Sequence, residues 1–208
     1  MDITDMINNV EVYGLENAIK VAKYPMAINT DKCTTQATQT TYSLFSVPTG
    51  TGHDNALKGI IVQFDLTMSV KMSVELERYH FIDFISSQST MHRISKFDLD
   101  KAYLEYVDKR IIKIMKEKVE DYNNTKNQEE KKIKYLELLY SNPCGMTLTA
   151  GMTTNYQQLK TIYQQRRDHL LPEWRTFCNW IETLPRFMEF CFPDKIKNSD
   201  KVGNIENS

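Results

Sequence analysis

The sequence predicts an α+β fold: a single domain with a mostly antiparallel sheet and flanking helices. Three observations carry that expectation. Val62, Phe64, Leu66, Met68, Val70, Met72, Val74 and Leu76 alternate with polar residues, the period of one long strand or two successive ones with one buried face. Met146, Leu148, Ala150 and Met152 alternate in the same way. The order of segments is helix, strand or strands, helices, strand, helices, with no internal repeat and no linker.

In chain order, Leu15, Ala18, Ile19 and Ala22 form a short helical stripe. Residues 29–52 are Thr-rich and end in Pro48-Thr-Gly-Thr-Gly-His53, a loop with at most an edge strand. After the long alternation, Phe81, Phe84 and Ile85 have helical spacing, so a helix is expected from about Arg78 to Met91. Asp98 suits the N-cap of the next helix, whose stripe is Leu104, Val107, Ile111, Ile114 and Met115. A polar run from Asp121 reads as loop. A further helix carries Ile133, Leu136 and Tyr140 and stops at Asn142-Pro143. Two helices follow the second strand, one with Leu159, Ile162 and Tyr163, the other with Trp174, Phe177, Ile181 and Leu184. The domain spans 1–194, and the polar residues 195–208 are expected to be a disordered tail.

Composition narrows the function classes. The chain has 208 residues, 41% of them apolar and 25% charged, which is enough for one sizeable core. Net charge is −1, so no global basic field draws in nucleic acid or membrane. No apolar run approaches a membrane span or a secretory leader. Cys33, Cys144, Cys178 and Cys191 show no C-x-x-C spacing; with four histidines in the chain a zinc site is not expected. Reduced thiols in a cytoplasmic protein follow, with Cys144 and Cys178 as core residues.

The most informative stretch is 155–175. Its first helix ends in Arg166, Arg167 and His169, and its second begins with Pro172, Glu173 and Arg175. Asn155 precedes the first helix. Such a cluster of Asn, Arg, His and Glu at a kink suits a flat, polar, anionic ligand. Each member also has a plainer reading: Asn155 as an N-cap, the cations as partners of a helix C-terminus. His92-Arg93 at a helix junction and His53 in a glycine loop are open to the same two readings. No nucleophile–base constellation or phosphate loop is visible, so catalysis would need an organic cofactor.

Taken together, these positions resemble the flavin-dependent thymidylate synthases. That family carries R-H-R-x-x-S-x-N-E-x-S-x-R at the end of a helix following a strand; here the segment runs Met91-His92-Arg93-Ile94-Ser95-Lys96-Phe97-Asp98-Leu99-Asp100-Lys101-Ala102-Tyr103. The His-Arg pair and the apolar Ile94 and Phe97 match. Met91, Lys96, Asp98, Leu99, Lys101 and Tyr103 depart from the motif, as does Leu139 at another nucleotide-binding arginine position. The C-terminal half matches better, through Pro143, Asn155, Arg166 eleven residues later, and the run His169, Glu173, Arg175.

The resemblance implies a homotetramer holding FAD between subunits, with His53, His92, Arg93, Asn155 and His169 contacting the flavin. It places Arg166 beside the pyrimidine, where a guanidinium stabilises the negative charge that grows as the ring accepts hydride. Arg167 is a possible substitute for Arg166. Lys96 and Lys101 are candidate replacements for the missing phosphate ligands near a helix N-terminus. The implied reaction methylates dUMP or a related pyrimidine deoxynucleotide to dTMP or its analogue, with NADPH and methylenetetrahydrofolate as co-substrates. The rival reading is a non-catalytic relative that binds a nucleotide or a partner.

Overall fold

The described residues, 2–196 of a computed structural model, begin with a one-turn helix α1 (Ile3–Met6) and an edge strand β1 (Ile7–Tyr13) that the sequence pattern did not announce. Gly14 then turns the chain at φ 79°. A Cβ there would stand 2.2 Å from the Gly59 carbonyl oxygen, so the turn requires glycine. Helix α2 (Leu15–Val21) forms where the stripe predicts it, burying Ala18 and Ile19. The Thr-rich stretch contains a helix, α3 (Gln39–Phe45), and no edge strand. Thr38 and Thr41 form its capping box. Threonine is a poor interior helix residue and a good cap, so polarity alone reads as loop.

Strand β2 (Ile61–Ser69) ends before its alternation does. The Ser69 hydroxyl accepts from the Met72 amide at 3.1 Å and caps α4 (Val70–Leu76), so the expected strand to Leu76 is corrected to a strand and a helix. Met72 and Leu76 are four apart as well as in the alternation, and they are the buried pair of this helix. The expected helix from Arg78 to Met91 is instead β3 (Ile82–Ser87) and a one-turn helix α5 (Thr90–Arg93). Helical spacing misled here because Phe81 (57% exposed) and Ile85 (60%) face outward, whereas periodicity assumes apolar residues point in. An irregularity between Phe84 and Ser86 further breaks the strand period.

Asp98 does not cap the next helix; it accepts from the Asp100 amide at 3.1 Å in a turn. Helix α6 (Lys109–Asn124) starts later, on Asp108, and continues through much of the expected loop. Helix α7 (Gln128–Ser141) forms as expected and ends before Pro143. Its predicted stripe of Ile133, Leu136 and Tyr140 is exposed; the buried residue is Leu138. Strand β4 (Thr147–Asn155), α8 (Tyr156–Arg166) and α9 (Pro172–Glu182) match the expectation, and α10 (Phe187–Cys191) follows. Residues 197–208 of the expected tail lie outside the described residues. Lys195 is seated on the molecule, its amide donating to the Phe192 carbonyl at 3.0 Å.

The sheet has the order β1-β2-β4-β3 with every pairing antiparallel, as the sequence predicts for the fold class. Phe64 pairs with Met152 and Leu66 with Ala150. These side chains, with Val62, meet Leu159, Ile162, Trp174, Phe177 and Ile181 in the main core. Each such large side chain contributes about 1.5–3 kcal/mol by burial. A smaller core of Ile94, Leu99, Tyr103, Met115, Leu138 and Met146 joins α6 and α7 to the segment after α5. No helix among the described residues is long and apolar enough to cross a membrane. The four cysteines are free; Cys178 is buried as expected and Cys144 is exposed, which corrects its core placement.

Candidate functional site

Helix α8 sets the frame. Asn155, the last residue of β4, caps it by accepting from the Gln158 amide at 2.9 Å. The helix has 11 residues, so its two ends stand about 16 Å apart. Asn155 and Arg166 are therefore not neighbours, and the expected gathering of Asn, Arg, His and Glu is only partly met.

At the far end the structure does bring Arg166 and His169 together, through a carboxylate that sequence reasoning missed. Glu75 of α4 accepts from Arg166 Nη1 at 3.2 Å and from Trp174 Nε1 at 3.0 Å, both on Oε2. His169 Nε2 lies 3.5 Å from the same oxygen. Lys71 Nζ donates to Oε1 at 2.9 Å. Arg166 Nε donates to the Tyr79 hydroxyl at 2.8 Å, which itself donates to Gln165 Oε1. The guanidinium lies over Trp174, 4.9 Å from the ring centroid. His169 Nδ1 accepts from the Leu171 amide, which leaves the proton of a neutral imidazole on Nε2, facing Glu75.

The Lys71 hydrogen bond is the largest influence holding the Glu75 carboxyl below its ordinary range, and the Trp174 bond adds to it against the opposing effect of burial. The Glu75 carboxylate thus lies between Lys71 and Arg166. One carboxylate does not neutralise both Lys71 and Arg166, so the cluster remains net positive. A groove of about 610 Å³ opens beside it, lined by Lys71, Tyr106, Leu171 and Arg175 among others.

Glu173 and Arg175 bond within the chain. Glu173 is buried; its Oε1 accepts from the Ser69 amide at 2.7 Å and its Oε2 from the Ser69 hydroxyl at 2.8 Å. Arg175 Nη1 donates to the carbonyls of His169 and Leu170 at 2.6 and 2.8 Å and braces the kink between α8 and α9. Arg167 diverges from Arg166. It donates to the Tyr163 hydroxyl at 3.0 Å, in a group with Glu182 and Lys195. The hydroxyl and Glu182 are closely bonded, and burial first, then that bond, raises the tyrosine pKa.

The remaining expected ligand residues stand elsewhere. His53 is exposed in the loop before a 3₁₀ turn at Asn55–Gly59; that turn packs on α8, and β2 pairs Ile61 with Asn155. His92, Arg93 and Lys96 are exposed in and after α5, with His92 Nδ1 2.9 Å from the Ser89 hydroxyl. Lys101 faces Asp98 at 3.7 Å on the surface. Neither lysine sits at a helix N-terminus, since α6 begins at Lys109; the expected help from a helix dipole is absent at both.

Glu75 is hidden by the expected strand, in which it takes a solvent-facing position, and Tyr79 by the helix expected from Arg78. Ser69 read as a cap brings Glu75 forward. The same correction brings forward Arg78 and His80, both exposed and flanking Tyr79. They follow the helix that succeeds the long strand, whereas His92 and Arg93 follow β3.

No protein-family model and no curated protein sequence matches this chain. Solved structures match its fold. One is the flavin-dependent thymidylate synthase ThyX from Helicobacter pylori complexed with FAD and dUMP, with a TM-score of 0.66 and 15% identity over 91% of this chain and 98% of that one. Another is Thymidylate Synthase X from Helicobacter pylori with FAD and dUMP, with a TM-score of 0.65 and 15% identity over 90% and 98%. The single-domain α+β architecture described above is thus similar to the ThyX fold across nearly the whole of both chains.

Proposed function

We propose that this chain is a divergent flavin-dependent thymidylate synthase-like protein of the cytoplasm, which binds FAD and a deoxyuridine-type nucleotide and transfers one carbon to the pyrimidine. The observation that carries the reading is the Arg166–His169 cluster on Trp174 and Tyr79, set in a fold similar to that of a ThyX complexed with FAD and dUMP. Bound FAD would supply the hydride chemistry that the chain's own side chains lack. Arg166 is the catalytic residue in this reading. Tyr79 and Glu75 hold its guanidinium in place before the reaction, so that charge growing on the pyrimidine carbonyls meets a preorganised cation. NADPH and methylenetetrahydrofolate are the co-substrates, and dTMP is the product from dUMP.

The donor set suits a flavin nucleotide in kind: imidazoles, an amide and guanidiniums that accept the charge and edges of such a ligand. In one chain it stands in separate places, with His53 and Asn155 near the start of α8 and His169 near its end. A homotetramer with FAD between subunits joins such places from different copies. The exposed apolar residues on and around β3 support that assembly. Arg78 and His80 join His92 and Arg93 as flavin-contacting candidates. They stand just past the helix that follows the long strand, and they flank the tyrosine that holds Arg166. Lys96, Lys101 and Arg167 stay as candidates for the nucleotide phosphate.

One observation favours a non-catalytic nucleotide-binding relative instead: Glu75 spends part of the charge of Arg166 on an internal ion pair.

Purification with flavin spectroscopy, followed by dUMP titration and a dTMP assay, tests the reading. A yellow protein that forms dTMP is expected, and Arg166→Ala should lower turnover about 10²–10³-fold. In the same FAD titration the pair Arg78→Ala and His80→Ala should weaken binding. A colourless protein that still binds dUMP leaves the non-catalytic reading, and a chain that binds neither overturns both.

A further inference from the structure

The loop that carries His53 is tied to α8 at both of its ends by a single buried ammonium. We propose that Lys160 and Asp54, assisted by Gln157, are positioning residues that hold His53 in register with Asn155 at the flavin site. Lys160 Nζ donates to the carbonyls of Phe45 at 2.8 Å and Val47 at 2.5 Å, where the loop begins, and to Asp54 Oδ2 at 2.9 Å, where it ends. An ammonium has three protons, and all three are used. The two side chains are 1% and 0% exposed. The other Asp54 oxygen accepts from Gln157 Nε2 at 2.8 Å, and that amide also reaches Asn55 Oδ1 at 3.4 Å. Gln157 lies in the first turn of α8, two residues after the cap residue Asn155.

Between these anchors the chain has little rigidity of its own. Gly50 and Gly52 adopt φ values of 95° and 81°. The loop's further ties are short-range, such as Thr51 Oγ1 to the Pro48 carbonyl, or exposed, such as Thr49 Oγ1 to Gln164 Oε1 at 3.1 Å. His53 is exposed, while its neighbour Asp54 is fully buried. One residue thus fixes the direction in which the next can point.

Stability alone does not call for this arrangement. Two buried charges lose their hydration, and an apolar pair of similar volume commonly keeps a core as stable. An apolar pair cannot hold two carbonyls and a carboxylate from both ends of a loop. The distinctive effect of the ion pair is geometric: it refers His53 to the helix that Asn155 caps and that carries Arg166. The ligand that His53 meets rests on the proposed function; the tethering does not.

The test uses the full chain with the double substitution Asp54→Leu and Lys160→Met, because either change alone strands a buried charge. Circular dichroism and thermal unfolding should show a folded protein. The FAD dissociation constant should rise about tenfold or more, and adding His53→Ala should cost little further, because its contact is already lost. Amide exchange across residues 49–53 should accelerate by about tenfold or more, as expected of a segment released from its anchors. Unchanged exchange, or a loss of FAD affinity that adds in full to that of His53→Ala, overturns the proposal. If the native chain binds no FAD, the functional reading fails, and the exchange of residues 49–53 alone decides the positioning claim. If the double variant does not fold, Gln157→Leu, which removes a half-exposed partner, should move FAD affinity and exchange in the same directions by smaller factors. No change in either counts against the proposal.

Discussion

Glu75 shows how one side chain can reorganise a site. It gathers Lys71, Arg166, Trp174 and His169 on two oxygens, so removing its charge should be felt by all four. Glu75→Gln should lower stability by about 1–2 kcal/mol, seen as a fall in the urea midpoint at neutral pH. The pH dependence has a definite sign. The carboxyl is held below its ordinary value of 4.5 in the folded state, so its contribution is fully present above that value and disappears as pH falls through the lower folded pKa. Stability curves of the native chain and of Glu75→Gln should therefore draw together as pH falls through the lowered folded pKa, and parallel curves down to the acid limit would show that the carboxylate contributes nothing. At this scale the sequence was legible for Arg166 and His169, because a helix C-terminus with three cations is conspicuous. Glu75 was not, since a glutamate in a polar phase of an alternation looks like any solvated residue.

Among the elements, the segments that bury one continuous face were legible and the others were not. Strand β4 and helices α8 and α9 follow their stripes because Ala150, Met152, Leu159, Ile162, Trp174 and Phe177 all point into the main core. The end of β2 depends on a partner far along the chain: Glu173 takes both the amide and the hydroxyl of Ser69, where strand gives way to α4. Glu173→Ala leaves two buried donors without a partner and should cost about 2–4 kcal/mol, with the first sign being faster amide exchange in residues 69–72. An unchanged denaturation midpoint would show that the junction is set by the Ser69 cap alone. Strand β3 and helix α7 are the converse case. Their apolar residues obey a period but face outward, so the pattern points to helix at β3 and to the wrong side of α7.

For the whole molecule, that outward apolar surface is the main fact left unexplained by one chain. Phe81, Phe84, Ile85 and Met91 are exposed on and around the edge strand β3, and Ile133, Leu136 and Tyr140 are exposed on α7. An uncovered edge strand with apolar side chains is a surface that proteins cover or pair. Light scattering should show an oligomer, and Phe84→Glu with Ile85→Lys should dissociate it while leaving the monomer's circular dichroism intact. FAD affinity should fall with dissociation if the ligand sits between subunits; a native chain that runs as a monomer would remove this explanation of the separated site residues. From the sequence alone came the fold class, the central strand β2, the helices α8 and α9, and the residues of α8 and its flanks as the centre of interest. These follow from local periodicity and capping, which nearby residues decide. Tertiary structure alone decided where β2 stops, that β3 is a strand, that Glu75 and Tyr79 grip Arg166, and that Lys160 ties down the loop of His53. Each of those depends on partners roughly 60 to 115 positions away, and no local pattern encodes a contact whose two halves meet only after the chain has folded.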